Sequence, residues 1–157
     1  MPNPFAMSRW YHRLSNIFVA PAYRLLPMPR GFVLLTVTGR RSGKPRARPI
    51  RAIRDGDTFY AVAILGERSD WLRNVRKNPG VRVKAGARQR AATARAITDP
   101  GEAGRAAEIY VQQVVPFDFF DYPAVHWGFP TRSKIVKAHS EWVRDGVLVA
   151  ITLDRAG

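Results

Sequence analysis

The chain has 157 residues, 46% of them hydrophobic and 24% charged, which excludes wholesale disorder and a collagen-like repeat and fits one globular domain. It has no cysteine, so a disulfide scaffold, a thiolate metal site and a cysteine nucleophile are ruled out; its three histidines, His12, His126 and His139, show no HExxH or other ligand spacing, and no metal site is expected. The formal net charge is +14, and residues 1–54 hold eleven Lys/Arg and no Asp or Glu, so the front of the chain calls for an anionic partner (nucleic acid, a membrane surface or a phosphorylated ligand) unless it is simply a solvated basic surface.

From Ser8, a candidate N-cap, the pattern is helical. Trp10, Leu14, Ile17 and Phe18 share one face, with Arg9, His12, Arg13 and Asn16 opposite. Pro21 is expected to end or kink this amphipathic helix, and residues 21–31 to run as an extended linker. The helix either lies on a membrane surface or packs on the body of the protein, the commoner fate of such a pattern. No stretch is long and apolar enough to span a bilayer, and no secretory signal is evident. The expectation is a cytoplasmic protein, with peripheral membrane contact through residues 8–26 left open.

Strand signals follow. Phe32 to Thr38 (FVLLTVT) is an apolar run, Gly39 to Gly43 a turn, and Lys44 to Arg54 a partly alternating partner. Asp55-Gly56-Asp57 signals a second hairpin, leading into Thr58 to Leu65. Asp70 to Lys77 reads as a helix stopped by Asn78-Pro79-Gly80. Val81 to Ala85 and Gln89 to Thr98 read as strands, then a helix from Asp99-Pro100 to about Val115. Residues 116–130 are aromatic and proline-rich, with no element expected. Thr131 to Val143 reads as a helix, and Val147 to Leu153 as a last strand. Without βαβ alternation, a doubly wound sheet is improbable. The expected fold is α+β: a six-stranded antiparallel split β-barrel with inserted helices and an N-terminal amphipathic helix, divided into residues 1–30 (helix and linker) and 31–157 (barrel).

The densest chemistry lies at Gly39-Arg40-Arg41-Ser42-Gly43-Lys44-Pro45-Arg46-Ala47-Arg48-Pro49. Glycines permit a tight turn that exposes backbone N–H groups, and guanidinium forks suit bidentate phosphate binding. The spacing is not that of a Walker loop. A solvated basic turn is the bland alternative.

The stretch LLTVTGRRSGKPRARPI, followed by a strand and then by DWLRNVRKNPGVRV, resembles the deazaflavin-dependent nitroreductase family, well over residues 30–86 and loosely over 99–122. The resemblance implies a flavin-reductase-like split barrel that binds coenzyme F-420, a deazaflavin whose tail carries a phosphate and a polyglutamate, with FMN a weaker candidate. It maps phosphate-binding roles onto Arg41, Ser42 and Arg46, the family's first basic position onto Arg40, the closing proline onto Pro49 and a flanking helix role onto Trp71 and Asn74; Lys44, in the same turn, is expected to hold the tail with them. Ile64 and Leu65 stand where other members carry Ser-Lys, which leaves the backbone N–H groups of Leu65 and Gly66 to contact the ring.

Tyrosines of that family's aromatic segment line the substrate face. Here Tyr122 is the one hydroxyl-bearing aromatic of residues 116–130, so it is the candidate for substrate contact or proton donation, with Phe120, His126 and Trp127 beside it. The bland alternative for such rings is core packing. Hydride chemistry belongs to the cofactor and needs few catalytic side chains, so the lack of a Ser-His-Asp set counts against hydrolases only.

The expected activity is hydride transfer from reduced coenzyme F-420 to a quinone, enone or nitroaromatic. The alternative is a membrane-associated lipid or fatty-acid carrier on the same barrel. No nucleic-acid-binding motif is visible, so no specific nucleic acid is expected; a homodimer is open.

Overall fold

The computed structural model describes residues 20–126 and 128–156. The expected helix from Ser8, and Trp127, lie outside the described residues. The order of elements is α1 (Ala20–Leu25), β1 (Phe32–Thr38), β2 (Pro45–Asp55), β3 (Thr58–Ala63), α2 (Asp70–Lys77), β4 (Gly80–Ala85), β5 (Arg88–Ala96), α3 (Pro100–Gln112), α4 (Asp118–Val125), α5 (Arg132–Asp145) and β6 (Val147–Leu153), with a short 3-10 turn at Gly66–Arg68. No helix among the described residues is long and apolar enough to cross a membrane.

The six strands close a barrel in the order β1-β2-β3-β6-β5-β4, every pair antiparallel. The seam between β1 and β4 is short, pairing Leu34, Leu35 and Thr36 with Lys84, Val83 and Arg82. Alternation sends Val33, Leu35 and Val37 inward, where they meet Ala52, Ala61, Ala63, Ala92 and Ala94. Alanines let the barrel close tightly around a few larger side chains. The outer face of β1–β3 carries Phe32, Leu34, Ile53 and Val62, which pack against Tyr110 and Val111 of α3. Each strand is thus covered on both faces where the sequence is apolar at successive positions.

Pairing fixes the ends of the barrel. Thr38 opposes Pro45, Ala63 opposes Val147 and Gly80 opposes Thr93. One end therefore collects the β1–β2 turn, the Ile64–Arg68 connection and α2, whose Trp71, Leu72 and Val75 enter the barrel core. Asp99 starts α3 by accepting the Glu102 N–H through its side chain (2.8 Å).

Three expectations are corrected. The start of the expected linker, residues 21–25, is helical, within Ala20–Leu25; Pro21 stands at its second residue, where a missing N–H costs nothing. The helix after Asp99 stops at Gln112 instead of Val115, because Val115 is drawn into the core beside Phe32 and Met28. The aromatic segment contains α4, with Pro123 inside it; proline content hid an eight-residue helix.

Candidate functional site

The β1–β2 turn is pinned twice, by Gly39 N–H to the Lys44 carbonyl (2.8 Å) and Gly43 N–H to the Gly39 carbonyl (2.8 Å). Gly43 has φ +68°, a left-handed conformation that penalises a Cβ. A Cβ on Gly39 would lie 2.8 Å from Ser42 Oγ and 3.6 Å from Arg46 Nε. Its absence lets both side chains close over the turn. Ser42 Oγ accepts the Lys44 N–H (3.2 Å), which leaves the hydroxyl proton to donate elsewhere.

The cations of this turn divide into two groups. Arg40 folds back onto α2. Its Nη1 donates to Asn74 Oδ1 (2.9 Å), its Nη2 to Asp70 Oδ1 (3.1 Å), and its backbone N–H to Asn74 Oδ1 (3.1 Å). Asn74 is buried, so this clip locks the turn to the helix that plugs the barrel. Arg41, Lys44 and Arg46 are exposed, and among the described residues no side-chain hydrogen bond or ion pair engages them.

Arg48 lies in the cationic stretch singled out from the sequence, which gave it no role of its own. Directly opposed residues of a sheet share a face. Arg46 opposes Val37 and Arg48 opposes Leu35, so both arginines leave β2 on the barrel-interior face. Arg48 Nε is buried without a hydrogen-bond partner. Burial pushes the guanidinium pKa down, and the charge of Asp70 opposes that shift. The only signal available in the sequence was the two-residue spacing from Arg46, which puts both on one strand face.

Leu65 and Gly66 reach the same end of the barrel. The Leu65 carbonyl accepts the Arg68 N–H (3.2 Å) and the Gly66 carbonyl accepts the Ser69 N–H (3.0 Å). Trp71 is 5% exposed and lies in the core. Pro49 opposes Leu34 on the outer face. The structure thus brings Arg41, Ser42, Lys44 and Arg46 together at the turn, adds Leu65 and Gly66 nearby, and takes Arg40 onto α2 and Trp71 inward.

On the outer face, Asp118 at the start of α4 is held by Arg51 of β2. From that anchor α4 carries Tyr122 to a ring stack. Tyr122 lies on His126 (centroids 4.8 Å, planes 26° apart), and His126 faces Trp142 of α5 (6.3 Å, 21°). His126 Nε2 is buried without a partner, and burial lowers the ring's pKa, which favours neutral imidazole. Phe120 is 77% exposed, while Phe117 packs edge-on against Phe32 (4.8 Å). A cavity of about 270 Å³ opens at the opposite end of the barrel, between Phe32, Phe59, Arg30 and Arg54. Another, of about 290 Å³, lies between Thr38, Arg82 and Asp154. Neither is lined by Arg41, Arg46, Arg48 or Tyr122, so anchoring at the turn rests on charge instead of enclosure.

The profile of the family described as F420H(2)-dependent quinone reductase matches residues 8–122. Among solved structures, an F420-H2 dependent reductase is similar at 22% identity and TM-score 0.53, over 83% of this chain and 99% of the other. A structure described as a domain-swapped dimer is similar at 20% identity and TM-score 0.54, over 94% and 98%. The heme storage protein HutZ from Vibrio cholerae shares the fold at 13% identity and TM-score 0.52, over 81% and 84%. At these identities, the likenesses establish a common barrel.

Proposed function

The chain belongs to the F420H(2)-dependent quinone reductase family, and on that footing we propose that it passes hydride from reduced coenzyme F-420 to a flat conjugated acceptor: a quinone, an enone or a nitroaromatic. It is an oxidoreductase with coenzyme F-420 as its cofactor. One observation carries the reading of the site. Among the described residues, Arg41, Lys44 and Arg46 stand unpaired around a glycine turn, and the Ser42 hydroxyl proton is not used. No carboxylate precedes Asp55, and the nearby Asp70 is engaged by Arg40. Such a donor set is chemically matched to an anionic, phosphate-bearing tail.

The bound deazaflavin supplies the hydride chemistry. The residues of the chain hold, orient and shield. Arg41, Ser42, Lys44 and Arg46 would hold the tail. Arg40 keeps their turn in place through Asn74, and Pro49 continues the strand without an N–H. Leu65 and Gly66 would offer backbone N–H groups to the ring, with Trp71 held in the barrel core at the same end. Phe120, Tyr122 and His126 would line the acceptor side, where the Tyr122 hydroxyl would deliver a proton.

Fluorescence titration of the purified protein with coenzyme F-420, followed by oxidation of the reduced coenzyme with a panel of quinones, enones and nitroaromatics, tests this. Saturable binding with turnover of one acceptor class is expected. No binding at saturating coenzyme would overturn it. Homodimer formation, in keeping with the neighbour described as a domain-swapped dimer, is read by light scattering in the same samples.

The lipid-carrier reading draws on one feature, the cavity bounded by Phe32 and Phe59 with Arg30 and Arg54 at its edge. Solvent extraction of the purified protein distinguishes it: a stoichiometric fatty acid would favour the carrier.

A further inference from the structure

We propose that Arg48 is a second, inner seat for an oxyanion of the coenzyme tail, distinct from the exposed grip of Arg41 and Lys44. The inference rests on the reading above. Arg46 and Arg48 emerge from the same face of β2, opposite Val37 and Leu35, two residues or about 6.6 Å apart. Leu35 is completely buried, so Arg48 stands where the barrel interior begins. Its Nε is shut off from solvent and, among the described residues, has no acceptor.

A buried donor left unmade costs stability, and alternative partners are scarce. Asp70 is the carboxylate whose charge reaches Arg48, yet Asp70 already accepts from Arg40 at 3.1 Å and is 77% exposed. Two guanidinium groups, on Arg46 and Arg48, therefore share one strand face, and among the described residues no carboxylate is hydrogen-bonded to either. An oxyanion between them would receive the orphaned N–H and neutralise the pair. The coenzyme tail provides two such groups, a phosphodiester and glutamate carboxylates. The shared chemistry is a singly charged oxygen acceptor at the threshold of the barrel.

The test compares wild type with Arg48→Met, which keeps an unbranched apolar stem and removes the guanidinium N–H groups. Three ligands are titrated by fluorescence: the full coenzyme, the coenzyme without glutamates, and the deazaflavin chromophore lacking the phosphate and everything beyond it. Arg48→Met should lower affinity for the full coenzyme about 10- to 100-fold, the range expected for a hydrogen bond to a charged group, while leaving the tail-less chromophore unaffected. A loss that persists without glutamates assigns the seat to the phosphodiester; a loss that vanishes assigns it to the carboxylates.

Two readouts do not depend on turnover. In arginine-labelled protein, the Arg48 Nε–H resonance, assigned by its absence in Arg48→Met, should shift on adding the full coenzyme and stay fixed with the tail-less chromophore. The melting temperature of unliganded Arg48→Met should equal or exceed that of wild type, since the substitution removes an unmatched donor. Equal affinity of wild type and Arg48→Met, an unmoved resonance, or a matching loss for all three ligands would each overturn the proposal. If wild type itself binds no coenzyme, the parent reading fails first, and this assignment falls with it.

Discussion

Arg51 and Asp118 form a two-point ion pair in the interior of the protein. Arg51 Nε donates to Asp118 Oδ1 at 2.8 Å and Nη2 to Oδ2 at 3.1 Å, with the two side chains 4% and 2% exposed. Two further donors of Arg51 are used as well: Nη1 meets the Tyr110 carbonyl (2.7 Å), and Nη2 the Gln113 carbonyl (2.6 Å). Asp118 Oδ2 also accepts the Val115 N–H (2.8 Å). The guanidinium further lies over the Tyr110 ring, 4.5 Å from its centre. The pair thus gathers the end of α3 and the start of α4 onto β2, and it sets where the helix bearing Tyr122 begins.

Removing one partner strands the other charge in the interior. Asp118→Ala should cost about 3–5 kcal/mol, the range for a broken buried pair, measured as the fall in unfolding free energy in urea. The double variant Arg51→Met with Asp118→Leu should recover much of that loss, because it leaves no buried charge. A double variant as unstable as the single one would show that the pair supplies stability beyond mutual neutralisation.

The same cluster sets an acid limit. Burial, with the Arg51 charge adding to it, lowers the His139 pKa from 6.5 to about 3, against the opposing pull of Asp118. The folded state therefore keeps this ring neutral while the unfolded chain protonates it. Between pH 6.5 and about 3, the unfolded state binds more protons, so stability is full above pH 6.5 and declines as the pH falls, by at most about 1.4 kcal/mol per pH unit from this group. Melting temperatures between pH 7 and pH 4 should fall more steeply for wild type than for His139→Phe. Parallel slopes would remove His139 as the cause.

Arg40 and Arg41 are neighbours with opposite duties, and substitution should separate them. Asn74→Ala or Arg40→Ala breaks the clip between the turn and α2, and should lower stability by about 1–3 kcal/mol through unmatched groups. Arg41→Ala combined with Arg46→Ala should leave the melting temperature within a degree or two and weaken coenzyme binding by a few kcal/mol, at roughly 1.5–3 kcal/mol per charged hydrogen bond. Calorimetry and fluorescence titration on the same preparations read both quantities. Unchanged coenzyme affinity in the double variant would dismiss the phosphate grip.

Tyr122→Phe keeps the ring stack on His126 and deletes only the hydroxyl. If that hydroxyl delivers a proton, kcat should drop about 10²-fold, the lower end for general acid catalysis, with coenzyme affinity unchanged. A normal kcat would reduce Tyr122 to a packing role.

Much of the barrel could be read from the chain because its signals are local. The Asp55-Gly56-Asp57 turn, the alternation in FVLLTVT and the Asn78-Pro79-Gly80 stop each act through backbone conformation within a few residues. The cationic turn was legible for the same reason: glycine and arginine carry their chemistry wherever they are placed. Which arginines are free, by contrast, depends on groups far along the sequence. Asn74 takes Arg40 across 34 residues, and Asp118 takes Arg51 across 67, while the β1–β2 register turns Arg48 inward and leaves its Nε unmatched. Composition and short-range pattern determined a basic, antiparallel barrel with an anion-seeking turn. Burial and long-range pairing decided which charges are spent on holding the fold and which remain for a ligand, because a guanidinium's partner is set by distance in space and not by position in the chain.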